Sequence, residues 1–493
     1  MIGTDKNSYL SNIIIMKNFY ITTTLPYVNG EPHIGFAVEL IRADVIARVK
    51  KLEGYEVFFN TGTDEHGSKI HKKAEEAGVD TQTYVNGFAE KFKELIPLLG
   101  ISKDINFIRT TDEHHVKAAQ AFWKLCKERG FIYKKNYTVK YCVGCELEKT
   151  DSELADGKCA LHPAMNIEEI NEENYFFKFS EFQKPLLEYY AKNPDFVVPS
   201  FRFNEIRKFV EAGLQDFSIS RLKTKMPWGI EVPDDADHVM YVWFDALVNY
   251  VSCIGWPDDM NKFSRWWVNA ENVVQYCGKD NLRQQSAMWQ AMLMSIGLPN
   301  SKQIVIDGFV TGEGGVKMSK SLGNTVNPVE IVNQYGTEAL RLYVLKEVHP
   351  FEDSPFTMNM FKEAYNAHLA NGLGNLVSRV MKMAETNGVT LNEGKAPTLD
   401  LAKHAEFYKK FEINKVCEDV WLRIQETDKY IQDNAPFKTV KVDLEKGKEQ
   451  ISFLLASVYH IAKALEAILP ETSVKILAAV KAGKLEAPLF MRK

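Results

Sequence analysis

Apolar and polar positions alternate over residues 19–25, the period of a β-strand, and then the period changes. Apolar residues next fall at 37, 38, 40, 41, 45, 46, 49 and 52. That three-and-four spacing predicts an amphipathic helix, and Gly54 sits where such a helix stops. Residues 55–60, YEVFFN, read as a second strand. Strand, glycine-containing turn, helix and strand make a βαβ unit of a parallel sheet. Further on the pattern predicts helix over 68–99, strand over 107–111, and a helix over 113–129 closed by Gly130. It changes character near Phe131, predicts a returning strand at 173–179 and helices at 182–192 and 204–213, and rejoins the main fold at 239–244. Strands at 273–278 and 303–306 and a helix at 327–335 follow. After Phe356 strand signals vanish, and 358–383, 401–433 and 444–469 are periodic helical stretches, the pattern of a bundle.

Five segments follow from this. They are an N-terminal extension over 1–16, the first half of an α/β domain over 17–131, an insertion over 132–225, the second half over 226–355, and a helical domain over 356–493. A chain of 493 residues is too long for one ordinary domain, so several are expected. Residues 1–15 read as detachable, with Met16 a candidate start; a short disordered tail is the equal alternative. Hydrophobic residues make up 45% and charged residues 25%, a globular balance. No apolar run approaches the roughly 18 residues of a membrane span, and the N-terminus lacks a secretory pattern.

The net charge of −5 hides an asymmetry. From residue 356 onward there are 20 Lys and Arg against 17 Asp and Glu, a net of +3, which leaves −8 on the rest. Seven cysteines, an odd number, suggest no disulfide framework, and a reducing cytoplasm fits them.

Chemistry concentrates at three places. His33 and Gly35 stand at the entrance of the first helix, where free N–H groups and the helix dipole favour a phosphate. Far downstream, the glycine-rich stretch 311–315 leads to KMSKS at 317–321, two lysines suited to a triphosphate. Alone, each reads equally as a turn or a solvated loop. The third place is Cys142, Cys145, Cys159 and His162, spaced C-x2-C, thirteen residues, C-x2-H. Three thiolates and an imidazole make a closed tetrahedral zinc site, which holds a small domain together and leaves no position for catalysis.

Several segments together resemble the class I aminoacyl-tRNA synthetases and, within them, the methionyl-tRNA synthetases: LPYVNGEPHIG, GTDEHG, the zinc cluster, SISR, YVWFDALVNY, GKD, KMSKS and NGLGNLVSR. The resemblance runs from about Lys17 to the end. Relatives for valine, leucine and isoleucine carry a much larger editing insertion, and the cysteine relative uses its zinc to grip substrate. The resemblance implies a Rossmann-type parallel-sheet catalytic domain split by a zinc-binding insertion and followed by an α-helical bundle.

It also implies the reaction: ATP-dependent activation of L-methionine to the adenylate, with magnesium accompanying ATP, then transfer to the 3′ end of tRNA(Met). Leu25, Tyr27, Asp64, Trp243, Ala246 and Tyr250 would form the methionine pocket, with Gln285 near its side chain. His33, Gly35, Gly278 and Asp280 would bind ATP, with His33, Lys317 and Lys320 acting on its phosphates. Asn375, Arg379 and Phe437 would read the anticodon, Phe437 by stacking on a splayed base. Bland alternatives stand beside these roles. Trp243 and Tyr250 also read as core aromatics, Asp64 as a helix cap, and Phe437 as a plug of the bundle.

Two positions depart from the family. Phe36 replaces the second His of the signature, removing a donor to the phosphates, and Gln285 stands where a His is more usual. Activity is expected to survive, because both lysines, His33 and Asp64 remain. A small-molecule nucleotidyltransferase and a non-enzymatic RNA-binding module are the rival readings. The zinc cluster and the helical domain argue against the first, the lysines against the second. Many relatives add a C-terminal dimerising domain for which 488–493 leaves no room, so a monomer is expected.

Overall fold

The computed structural model describes residues 17–145, 147–149, 153–316, 318 and 326–493, except the side chains at 137, 139, 147, 148 and 170. The extension over 1–16, Lys317 and Lys320 lie outside the described residues.

Six strands form the central sheet: β1 Asn18–Thr22, β2 Glu56–Thr63, β3 Asn106–Arg109, β4 Val197–Val198, β5 Asn272–Gly278 and β6 Gln303–Asp307. They lie in the order β3-β2-β1-β5-β6-β4, and every pair is parallel. This is a Rossmann-type sheet, and its strand order reverses between β1 and β5. Alternation in β1 serves two cores. Phe19 and Ile21 pack on one face of the sheet, and Tyr20 packs on the other.

The helix after β1 is α1, Ile34–Leu52. It begins three residues earlier than the spacing predicts, because Ile34 and Phe36 are also buried. Lys50 and Lys51 complement its C-terminal dipole, and Gly54 takes φ +88° to turn the chain back. The stretch read as one helix over 68–99 is two, Ser68–Ala77 and Thr81–Leu98, parted at the left-handed Gly78. Thr61–Thr63, beyond the strand predicted over 55–60, extends β2, since the strand is buried there regardless of side-chain polarity.

The insertion is built on a long antiparallel ribbon, Ile132–Cys142 against Ile167–Phe177. Only its inner end was visible in the sequence. Toward the outer end, Thr138, Glu168, Glu169 and Asn171 are polar and exposed, so that end shows no apolar period. Val197–Val198, from within the same 132–225 span, joins the central sheet as β4, so that span is not wholly separate from the catalytic body. Two residues are too few to show a period. The chain then forms Asp235–Met240 in a small antiparallel sheet and enters helix α2, Val242–Leu247.

Helix α3, Thr337–Lys346, leads into the bundle. There Met358–Ala364, a π-helical stretch Tyr365–Gly374 and Asn375–Asn387 run on as one helical path. Helices Leu401–Lys409, Ile413–Asn434, Pro436–Val442 and Leu444–Ala464 follow, closed by α4, Pro470–Ala482. The break within 401–433 falls at Phe411, whose backbone takes φ +60°. The Phe411 ring meets Tyr276 of β5 edge-on at 5.7 Å, which fastens the bundle to the sheet.

Fully buried Arg341 of α3 is a second fastening. It pairs with Asp44 of α1 at 2.9 Å and donates to the carbonyls of Leu99, Ala467 and Ile468. Burial alone would push the Asp44 carboxyl up, but the Arg341 and Arg48 guanidiniums hold it below its ordinary value. Glu338, one turn earlier, accepts from the backbone N–H groups of Glu471 and Thr472 and so caps α4.

Candidate active site and metal centre

Ligands bind open α/β sheets outside the carboxyl ends of the strands, where the strand order reverses. Here that point is the gap between the ends of β1 and β5, and α1 starts beside it. His33 is the N-cap of α1, and its Nδ1 accepts the Gly35 N–H at 3.1 Å. The ring proton of neutral His33 therefore sits on Nε2, which becomes the donor for an anion. A Cβ on Gly35 would lie 2.9 Å from His33 Cε1, so the imidazole can fold over the turn only because residue 35 is glycine.

Phe36 faces away from this turn. Its ring packs edge-on against Phe92, centroids 5.2 Å apart, in the core between α1 and Thr81–Leu98. Position 36 thus serves packing in this chain.

The described chain just beyond the lysine stretch meets the same turn. Ile34 N donates to Val326 O at 3.1 Å, six residues beyond Lys320. On the near side, Gly312 N bonds Val316 O at 2.7 Å. Lys317 and Lys320 fall between these anchors in sequence, outside the described residues. Gly278 ends β5 and pairs in register with Asp307 of β6. A Cβ on Gly278 would lie 2.9 Å from an Asp280 carboxylate oxygen.

Three charged residues here had escaped the sequence reading. Glu39 of α1 accepts from Thr24 N at 2.5 Å and Thr24 Oγ1 at 2.6 Å. Burial pushes its carboxyl up to about 8, and Asp307 and Asp280 add to the rise. Burial likewise pushes Asp307 to about 6, against the pull of Arg42 at 3.2 Å. Arg42 also donates to the carbonyls of Val348 and Pro350. The available signal was an acid and a base, residues 39 and 42, inside an otherwise apolar helix run.

The candidate amino-acid pocket adjoins this end of the sheet. Tyr27 and Asp64 form a parallel bridge: Asp64 N donates to Pro26 O, and Val28 N to Asp64 O. Asp64 is not a helix cap, since Gly67 holds that position before Ser68–Ala77. The Tyr27 hydroxyl lies over Gly67, where a Cβ would come within 2.4 Å of it. Trp243 and Ala246 are half-buried, while Val242, Phe244, Asp245 and Leu247 around them are buried. The helical backbone continues through Val248 into Asn249–Ser252, which sets 243, 246 and 250 on one face. Leu25 is half-buried against the same core. Tyr250 is buried and packs near Trp289, and its hydroxyl accepts from Gln285 Nε2 at 2.6 Å. Gln285 lies in a π-helical turn, Gln284–Met288, and its Oε1 accepts from Gln275 of β5 at 3.3 Å.

A further buried group, also missed, links these walls. His66 Nδ1 is 3.0 Å from Asp245 Oδ2, and His115 Nε2 is 3.6 Å from Asp245 Oδ1. Burial alone would raise the Asp245 carboxyl, but the two imidazoles hold it below its ordinary value.

The ligating atoms of Cys142, Cys145, Cys159 and His162 all lie within 4.8 Å of one another. Cys145 Sγ is 3.2 Å from His162 Nδ1 and 3.4 Å from Cys159 Sγ. A Cβ on Gly144 would come within 2.3 Å of the His162 ring, so this knuckle needs its glycine. Such a soft nitrogen and sulfur donor set can hold one metal ion. Lys69, from Ser68–Ala77, donates to Gly144 O at 2.8 Å and ties the knuckle to the catalytic body.

In the bundle, Asn375 is exposed and Arg379 follows one turn later, paired with Asp428. Asp428 belongs to Ile413–Asn434, the helix that ends just before Phe437. Phe437 is 45% exposed, so it does not plug the bundle. Among the described residues, no helix is long and apolar enough to cross a membrane.

The fold and this site define a class I tRNA synthetase catalytic domain. The model of the family described as tRNA synthetases class I (M) matches residues 19–162 and 147–381. The methionine–tRNA ligase of Thermosynechococcus vestitus is 40% identical over 475 residues, 92% of this chain and 88% of that protein. That of Thermotoga maritima is 38% identical over 94% of this chain and 75% of its own length. Mycobacterium tuberculosis methionyl-tRNA synthetase, solved in complex with methionyl-adenylate, superposes with a TM-score of 0.87 at 33% identity. The superposition covers 96% of this chain and 99% of that one. The chain belongs to the methionine–tRNA ligase family.

Proposed function

We propose that this protein is a methionine–tRNA ligase. It joins L-methionine to ATP, forming methionyl-adenylate and pyrophosphate. It then transfers the methionyl group to a terminal ribose hydroxyl of tRNA(Met), releasing AMP. The observation that carries the reading is the contact of Ile34 with Val326, which draws the flank of the lysine loop to the His33 turn. In this proposal the two hold one nucleotide between them.

In the first step the methionine carboxylate attacks the α-phosphate in line. Positioning and charge stabilisation suffice, with no covalent enzyme intermediate. His33 Nε2 donates to the phosphates, and Lys317 and Lys320 neutralise their charge. Gly278 and Asp280 hold the adenosine, with Gly35 giving the nucleotide room. Asp64 pairs with the methionine ammonium. Leu25, Tyr27, Trp243, Ala246 and Tyr250 enclose the thioether, for which aromatic walls are well suited. Gln285 orients the Tyr250 hydroxyl. Phe36 supplies no donor, and activity is retained through the remaining groups.

The catalytic segments are 17–131 and 226–355, the insertion is 132–225, and the anticodon domain is 356–493. Asn375, Arg379 and Phe437 read the anticodon. The four-ligand cluster fits Zn2+, which would supply folding energy to the knuckle. Mg2+ accompanies ATP. The free cysteines among the described residues support a reducing cytoplasm. The protein works as a monomer, which light scattering checks. Purified protein should catalyse methionine-dependent ATP–pyrophosphate exchange, and absence of exchange would overturn the reading.

A further inference from the structure

The turn that carries Asp64 is fastened on two sides. On its own side, the buried Glu65 carboxylate accepts two bonds from Arg109, at 2.7 and 2.8 Å, and one each from Thr63 and Thr111. These contacts fix the turn to β2 and β3. On the far side, His66 reaches the helix that carries Trp243, Ala246 and Tyr250. Its Nδ1–H donates to Asp245 Oδ2 at 3.0 Å, linking residues 179 positions apart.

Asp245 lies between Trp243 and Ala246 in sequence, and its carboxylate points into the protein, fully buried. His115 Nε2 of Glu113–Glu128 stands 3.6 Å from the other oxygen, beyond hydrogen-bond reach, and His115 Nδ1 meets Ser252 Oγ at 2.9 Å, two residues past Tyr250. Trp228 closes the arrangement. Its indole N–H donates to Glu65 O at 2.6 Å, its carbonyl accepts from Gly67 N, and its ring lies 5.8 Å from His66.

We propose that His66 and Asp245 are a positioning pair that sets the separation of the two walls of the amino-acid pocket. The proposal rests on the pocket reading given above. Neither side chain touches substrate. His66 acts through Asp64, its neighbour but one, and Asp245 acts through Trp243 and Ala246. A buried charge-assisted bond suits the task, because its length is short and its geometry narrow. The nucleotide turn at His33 hangs on other contacts, so the effect should fall on one substrate.

The test is pyrophosphate exchange by the full-length enzyme carrying His66→Leu or His66→Asn. His66→Leu should raise the KM for methionine about tenfold, the value of one lost charge-assisted bond, and leave the KM for ATP within about twofold. His66→Asn keeps a donor near the Nδ1 position and should restore most of the methionine affinity. Asp245→Asn, isosteric and uncharged, should raise the methionine KM by about threefold and decides the matter if the leucine variant fails to fold. Equal rises for both substrates, no rise in the methionine KM, or an asparagine variant as poor as leucine would overturn the proposal. Asp64→Ala serves as the control. An unchanged methionine KM there would remove the pocket reading itself, and this proposal with it.

Discussion

The helical bundle and the cysteine knuckle are both attached to the same sheet, but by opposite means. The bundle is fused to it through buried groups. Arg341 joins α1 to the Ala467–Ile468 turn, Glu338 caps α4, and Phe411 lies on Tyr276. The knuckle reaches the catalytic body through half-buried Lys69 on Gly144 O, an ion pair of Glu153 with exposed Arg283, and its ribbon. Its internal order comes from four converging ligand atoms. The bundle should therefore share the stability of the catalytic core, while the knuckle should stand or fall with its ligand cluster.

The largest expected effect is on the bundle side. Arg341→Ala leaves the Asp44 carboxylate buried with only Arg48 and Ser102 for partners. Breaking a buried pair in this way costs about 3–5 kcal/mol. Urea unfolding should show one shifted cooperative transition. Two separate transitions in the parent protein would break the comparison.

Removing the metal should act on the other region alone. A chelator, or Cys145→Ser, should expose amides around residues 140–165 to hydrogen exchange. The exchange protection of β1, β5 and the bundle should stay unchanged. Loss of protection across the sheet would contradict local attachment.

The smallest effect sharpens the bundle joint. Glu347, at the end of α3, pairs with His368 of the bundle at 3.0 Å, and that bond with Lys346 holds its carboxyl at about 2. A carboxyl held below its ordinary 4.5 stabilises the fold above that value and ceases to do so as pH falls through about 2. The stability difference between parent and His368→Gln should therefore narrow steadily below pH 4.5, as thermal melts would show.

Elements with a clear period were legible in the sequence: β1, α1, β5 and the long bundle helices. So were the ligand cluster and the His33 turn, whose residues are close in the chain. What escaped had physical reasons. Val197–Val198 is too short for a period, and the exposed outer-ribbon residues Thr138, Glu168, Glu169 and Asn171 are all polar. The break at Phe411 needs a left-handed residue that no glycine announces. Helix α3 gave no usable stripe, because Glu338 and Arg341 occupy buried positions. The His66–Asp245 bond joins positions that only folding brings together.

A methionine–tRNA ligase selects methionine and charges tRNA(Met). The direct measurement is aminoacylation of tRNA(Met) by the purified protein, with each of a panel of amino acids supplied in turn. Charging with methionine, far above leucine, isoleucine, valine and cysteine, is the predicted result. Charging with another of these in preference, or with none, would contradict the account.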